Sequence, residues 1–340
     1  MSEAVFTQFI VDIIVIAVSF VFLNWTSNIV ISNALKVSAI SKLGKTSVGF
    51  TLISLSTTLP ELTVAFIAAL SGGVALSVGN VLGSNIFNIS VVIGLGVVLL
   101  ALTKIIKRNN NVNGTNIISF PKSQLSSLEF GLFVSSIIPL ILIYVSTGAA
   151  WLVGLILLVI FFAYMYKLSK MRISDDEEED AVTYDKSKLK RYVIYTIAGA
   201  LGIVISANFL VDSAINIATS AGVSQQVIGA TIIAFGTSLP EMTIGVKSIL
   251  KGHPNLALGN IIGASFFNTT LILGITFFVP VLVGSPITLN MSVFQNLVVF
   301  SIIINLFFWY FISRRELSWK EGVIFLFMYI LFVVTTVSAL

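Results

Sequence analysis

Two glutamates, Glu61 and Glu241, stand 180 residues apart in nearly the same surroundings. Glu61 closes the stretch SLSTTLPE that begins at Ser54, and Glu241 closes AFGTSLPE, which begins at Ala234. In both, a proline precedes the carboxylate. Proline has no backbone N–H and its ring clashes with the carbonyl four residues back, so a helix is expected to break near Ser56 and near Gly236. Such a break frees carbonyl oxygens around Ser54 to Thr57, and around Ala234 in the second stretch. Thr57 and Thr58 precede Glu61 by four and three residues, which puts two hydroxyls on the carboxylate's face of the resumed helix. Thr237, Ser238 and Glu241 repeat that set. Further on, Ser84 and Asn88 share a face at i and i+4, and their counterparts are Ala264 and Asn268. Every donor is an oxygen. Two negative charges among hard oxygen ligands suit Ca²⁺, which takes about six to eight oxygens at roughly 2.3 to 2.6 Å, and the same carbonyls and hydroxyls can hold Na⁺. Mg²⁺, reluctant to shed water, fits less well. With no cysteine and the single His253, thiolate sites are excluded and little imidazole chemistry remains.

These residues need elements to hold them, and the composition says of what kind. Of 340 residues 56% are hydrophobic and only 10% charged, where a soluble domain averages about 25% charged. A soluble globular protein is excluded. The apolar runs are apolar throughout rather than alternating, which disfavours a transmembrane β-barrel. They predict an all-α polytopic membrane protein with ten spans, at roughly 8–35, 47–69, 78–102, 127–146, 149–167, 191–219, 226–250, 257–283, 291–312 and 321–339. The first eight residues carry no Lys or Arg, so no cleavable signal peptide is expected and the first run becomes the first span. With this span count all 19 Lys and Arg fall on one side. By the positive-inside rule that side is cytoplasmic, and both termini lie outside. The net charge of +4 is thus topological, and no nucleic-acid partner is expected.

The sequence also matches itself. At an offset of 180, residues 28–94 align without a gap on 208–274, with 19 of 67 positions identical. The copies read GFTLISLSTTLPELT from Gly49 and GNVLGSNIFN from Gly79, against GATIIAFGTSLPEMT from Gly229 and GNIIGASFFN from Gly259. Identities at Thr57/Thr237, Pro60/Pro240, Glu61/Glu241, Gly79/Gly259, Asn80/Asn260 and Asn88/Asn268 are polar or special residues, which shared greasiness does not explain. Five spans separate the copies, so they run through the membrane in opposite directions. Two inverted five-helix halves follow: 1–167, with its repeat at about 47–102, and 191–340, with its repeat at about 226–283, joined by an acidic cytoplasmic loop at 168–190. Inverted repeats build secondary transporters whose site lies near the midplane on interrupted helices.

These paired motifs resemble those of the cation/Ca²⁺ exchanger superfamily, most closely its prokaryotic Na⁺/Ca²⁺ exchanger branch. The resemblance covers the whole ten-span plan. It implies Glu61 and Glu241 as central Ca²⁺ ligands, with Thr57, Thr58, Ser84, Asn88, Thr237, Ser238, Asn268 and the carbonyls of Ser54 and Ala234 completing the Ca²⁺ and Na⁺ sites. It further implies alternating access, with the long first and sixth helices sliding over a core of the other eight. The chain departs from the pattern at Ser56, Thr58, Ala264 and Asn268. Ala264 removes a hydroxyl from the Na⁺ ligands. Asn268 leaves two carboxylates against the two charges of Ca²⁺, which resembles the K⁺-independent exchangers.

The expectation is a monomeric, multi-pass cell-membrane antiporter, not an enzyme, with Ca²⁺ and Na⁺ as substrates, the bilayer as surroundings and no cofactor. The alternative is a H⁺/Ca²⁺ antiporter, favoured by Ala264 and opposed by Pro60 and Pro240; a cation channel comes third. The acidic run 175–180 reads as a solvated linker rather than a Ca²⁺ site, and the sequon at Asn113 as an unused one in a cytoplasmic loop. Asp12 and Asp212 could line an entrance or simply hydrogen-bond, and His253 reads as a loop residue.

Overall fold

The computed structural model describes residues 3–41, 43–70, 74–106, 118–119, 122–142, 149–170, 186–220, 234–284 and 294–337. The acidic run 175–180 and Asn113 lie outside them. Helices occupy every stretch in which a span was expected. They are α1 (Glu3–Ser41), α2 (Lys45–Thr57), α3 (Leu59–Leu70), α4 (74–106), α5 (Lys122–Leu142), α6 (Ala150–Lys170), α7 (Leu189–Ser220), α8 (Ala234–Thr237), α9 (Leu239–Leu250), α10 (Pro254–Leu282), α11 (Gln295–Ser313) and α12 (Trp319–Val337). Seven of these are individually long and apolar enough to cross a membrane, and the bent pair α2–α3 is an eighth candidate. The apolar part of α5 is shorter, at Leu128–Ile141. A two-residue antiparallel pair, Ile118–Ser119 with Glu316–Leu317, ties the segment after α4 to the turn between α11 and α12.

Burial sorts the helices into layers. Every residue of α10 from Leu256 to Phe267 is buried, so this helix forms the centre. A large apolar cluster joins α10 to α4, α5, α6, α11 and α12 through residues such as Leu82, Leu132, Phe161, Phe266, Phe308 and Phe325. A second, smaller cluster joins α1 and α7, through Val30, Ile31, Ala200 and Ile203, to Val48, Ile53 and Leu239 of the broken helices. Gly199 and Gly202 let α7 close onto Thr26, Ile29 and Val30 of α1. The opposite face of α1 is bare apolar surface, with Ile14, Phe20, Val21 and Trp25 more than half exposed. Water would penalise such a stripe, whereas hydrocarbon accepts it.

The breaks in the repeated motifs come two residues later than the proline argument places them. Chain direction changes at Thr58, where φ is −82° and ψ 8°, and at Ser238, where they are −92° and 5°. Each proline therefore sits in the first turn of the resumed helix, where its missing N–H has no partner to lose. Helices α2 and α3 meet there at a bend of 49°. Two π-helical turns also stand 180 residues apart, Asn88–Ile93 in α4 and Asn268–Ile272 in α10. Each opens at one of the candidate ligand asparagines, Asn88 or Asn268, and such turns are frequent at functional sites.

Candidate ion-binding site

The broken helices and the π turns bring the repeated polar residues to one buried region. Ser54, Thr57, Thr58, Glu61, Ser84, Asn88, Ser238, Glu241 and Asn268 are all buried, and Thr237 is partly so. Ala234 opens α8, and its side chain lies outside the described set. Contacts link the two copies. Ser84 Oγ lies 3.5 Å from Glu61 Oε1 and 2.9 Å from Ser238 Oγ, and Asn268 Nδ2 donates to Ser84 Oγ at 3.3 Å. Glu61 and Glu241 are close enough for their charges to interact. Thr57 also lies near enough to Glu241 to act on its charge, although no hydrogen bond forms between them.

Two asparagines that the sequence reading treated only as matching positions turn out to frame the site. Thr57 Oγ1 lies 3.4 Å from Asn260 Oδ1, and Thr237 Oγ1 lies 3.3 Å from Asn80 Oδ1. Each threonine thus meets the asparagine of the opposite copy. Glycines permit this closeness. A Cβ on Gly263 of α10 would lie 2.5 Å from the Phe50 carbonyl oxygen and 2.6 Å from Ser54 Oγ, both on α2. Gly49 and Gly259 meet the opposite backbone equally tightly.

The carbonyl of Ser54, expected to be free, is engaged. It accepts the Thr58 N–H at 2.9 Å, the Thr58 hydroxyl at 2.8 Å and the Thr57 hydroxyl at 3.2 Å. Hydroxyl side chains near a helix end commonly bond back in this way. Those hydroxyls keep oxygen lone pairs of their own. Other buried polar atoms have no partner: Glu61 Oε2, both carboxylate oxygens of Glu241, Asn268 Oδ1, and both Oδ1 and Nδ2 of Asn88. Buried polar groups in folded proteins are nearly always paired, so this concentration of bare oxygens asks for an explanation. Among the described residues no group of three or more His, Cys, Asp or Glu is placed to hold a metal ion.

Two features lie away from the site. Asp12 accepts hydrogen bonds from Gln8 at 3.1 Å and from Asn216 of α7 at 3.3 Å, so it pins the two long helices together; Asp212 is exposed. His253 occupies the turn before α10.

Fold and interior together describe a multi-pass membrane protein with a buried cluster of oxygen donors at its centre. Residues 11–170 and 191–338 match the family model "Sodium/calcium exchanger protein", and the chain belongs to that family. It is 31% identical over 269 residues to "Putative antiporter CaxA" of Alkalimonas amylolytica, covering 78% of this chain and 80% of that one. It is 28% identical to "Sodium/calcium exchanger MaX1" of Methanosarcina acetivorans, covering 95% and 98%. The fold resembles that of the sodium-calcium exchanger NCX_Mj, with a TM-score of 0.76 and 21% identity over 96% of this chain and 99% of that one.

Proposed function

We propose that this protein is a secondary active antiporter that exchanges Ca²⁺ for Na⁺ by alternating access, without a requirement for K⁺. The observation that carries the reading is the set of unpartnered oxygens on Glu61, Glu241, Asn88 and Asn268. A carboxylate at the bilayer centre costs about 2.5 to 3.5 kcal/mol on insertion scales, and no cationic side chain is bonded to either glutamate among the described residues. A bound cation offsets that cost. Two carboxylates match the two charges of Ca²⁺, and Asn268 adds no third negative charge that would call for K⁺.

The ligands we assign are Glu61 and Glu241 with Thr57, Thr58, Ser84, Asn88, Thr237, Ser238 and Asn268, and the carbonyls of Ser54 and Ala234. The Ser54 carbonyl joins once the Thr57 and Thr58 hydroxyls turn away from it. Ca²⁺ and Na⁺ compete for the same carboxylates, and only the loaded site reorients, which yields exchange. All of these ligands come from one chain, so a monomer suffices. Ten spans in two inverted halves, with both termini outside, accommodate the one-sided Lys and Arg. Helices α1 and α7 contribute nothing to the large apolar cluster that unites most of the other helices, which supports movement of that pair against them.

The name of the Methanosarcina relative favours Na⁺ as the counter-ion. Proton coupling is the second reading, because Ala264 supplies no hydroxyl where Ser84 does and paired glutamates can carry protons. Reconstitution decides between them. ⁴⁵Ca²⁺ uptake into proteoliposomes is expected with an outward Na⁺ gradient and not with a pH gradient, and is lost in Glu61→Gln and Glu241→Gln. Uptake with the pH gradient alone overturns Na⁺ coupling, and uptake with neither gradient that survives both substitutions replaces the antiporter by a channel.

A further inference from the structure

Asn85 is fully buried, directly follows Ser84 in α4, and belongs to none of the ligands assigned above. Its Oδ1 accepts a hydrogen bond from Asn268 Nδ2 at 2.9 Å, shorter than the 3.3 Å bond from the same amide nitrogen to Ser84 Oγ. The Asn268 NH₂ group is therefore held from the α4 side, and Asn268 Oδ1 is left bare. This matters because an amide is two-faced. Its oxygen attracts a cation and its NH₂ repels one, while the two ends have nearly the same shape. A carboxylate has no such ambiguity, since either oxygen serves.

We propose that Asn85 is a positioning residue that fixes the amide of Asn268 with its oxygen toward the cation. The inference rests on the proposed ion site and adds a determinant of its affinity. Ser84 Oγ is the second and longer acceptor, at 3.3 Å, and Asn85 engages Asn268 through its oxygen alone, its own Nδ2 having no partner. The repeat supplies an internal contrast. The counterpart of Asn85 is Ser265, whose hydroxyl has no partner, and the first-copy amide Asn88 has neither of its atoms bonded. Only the second-copy amide is held by a neighbouring asparagine, so Asn268 is a fixed ligand and Asn88 a free one.

The test is a double-mutant comparison of Ca²⁺ uptake by the full chain in proteoliposomes. Asn85→Leu keeps the volume and removes the acceptor; Asn85→Ser installs the residue found at the equivalent position, too short to reach Asn268. In the Asn268 background both are expected to raise half-saturating Ca²⁺ about tenfold while leaving the maximal rate within twofold, as one hydrogen bond to a ligand allows. In the Asn268→Asp background the same substitutions are expected to shift half-saturation less than twofold, because no amide remains to be oriented. An equal loss in both backgrounds means that Asn85 only packs, and it overturns the proposal; so does no loss in either. Failure of the ion site itself reads differently, as uptake that survives Glu241→Gln.

Discussion

Gly263→Ala is the sharpest probe of how closely α2 and α10 must approach. The added methyl would lie 2.5 Å from the Phe50 carbonyl oxygen, 2.6 Å from Ser54 Oγ and 2.8 Å from Phe50 Cα. Two of these atoms are main chain and cannot rotate aside, so the helices must separate by about 1 Å to restore ordinary contact. Overpacking costs about 1 to 3 kcal/mol, and an unyielding neighbour puts this case near the upper end. The better helix propensity of alanine returns about 1 kcal/mol. The net loss is about 2 kcal/mol, roughly a thirtyfold fall in the folded-to-unfolded ratio. The separation also opens the Thr57–Asn260 contact, which already stands at 3.4 Å. Gly96→Ala is the control, for its methyl meets the flexible tip of Ile249 at 2.5 Å and other atoms only from 3.6 Å. Rotation of that side chain relieves the clash, and the net change should be close to zero. Thermal unfolding in detergent by tryptophan fluorescence, paired with Ca²⁺ uptake, reads both consequences. Equal melting temperatures for the two variants, or full uptake by Gly263→Ala, would refute the close approach and the role assigned to it.

Three further outcomes are expected. Thr57→Val should weaken Ca²⁺ half-saturation more than Thr237→Val, because it strands a fully buried Asn260 whereas Asn80 is half-buried; titration of uptake for the two variants tests the order. Lys247→Met should lower thermal stability in detergent by about 1 to 2 kcal/mol, since Nζ donates to the Asn24 carbonyl, to Asn24 Oδ1 at 2.6 Å and to Ser27 Oγ at 2.8 Å, tying α9 to α1. Burial, and then the neighbouring Lys45 and Lys251, hold His253 below its ordinary pKa of 6.5. Its neutral form is favoured in the fold, so it costs nothing above the unfolded pKa and stability falls as pH drops from there through the folded value. His253→Gln should flatten that acid-side decline in a melting series from about pH 7.5 to about pH 5, and a parallel decline in both proteins would refute the assignment.

Much of this architecture is legible in the chain because membrane helices advertise themselves by length and apolarity, and because the motifs occur twice. The position of the break was less so. Pro60 removes one N–H, but the Thr58 N–H still reaches the Ser54 carbonyl, and the helix survives as far as Thr57. The engagement of the Ser54 carbonyl follows from the same local geometry, since hydroxyls one turn on find the nearest acceptor. Asn80 and Asn260 were visible as matching polar positions, but their pairing depends on how the two copies face each other, which no local pattern encodes. Asn85 had no signal of that kind, because the repeat puts Ser265 opposite it. The π turns gave no warning either: the helix around Asn268 is buried on nearly every side, so it has no apolar stripe whose shift would betray an extra residue.

The crosswise contacts of Thr57 with Asn260 and of Thr237 with Asn80 carry a consequence for how the chain is put together. Each of these pairs takes one residue from each half, so neither half holds a pair alone. A change at Thr57 is felt by a residue more than two hundred positions away, in the other half of the chain. Separately expressed halves should therefore be inert alone and regain transport only when they meet in the same membrane.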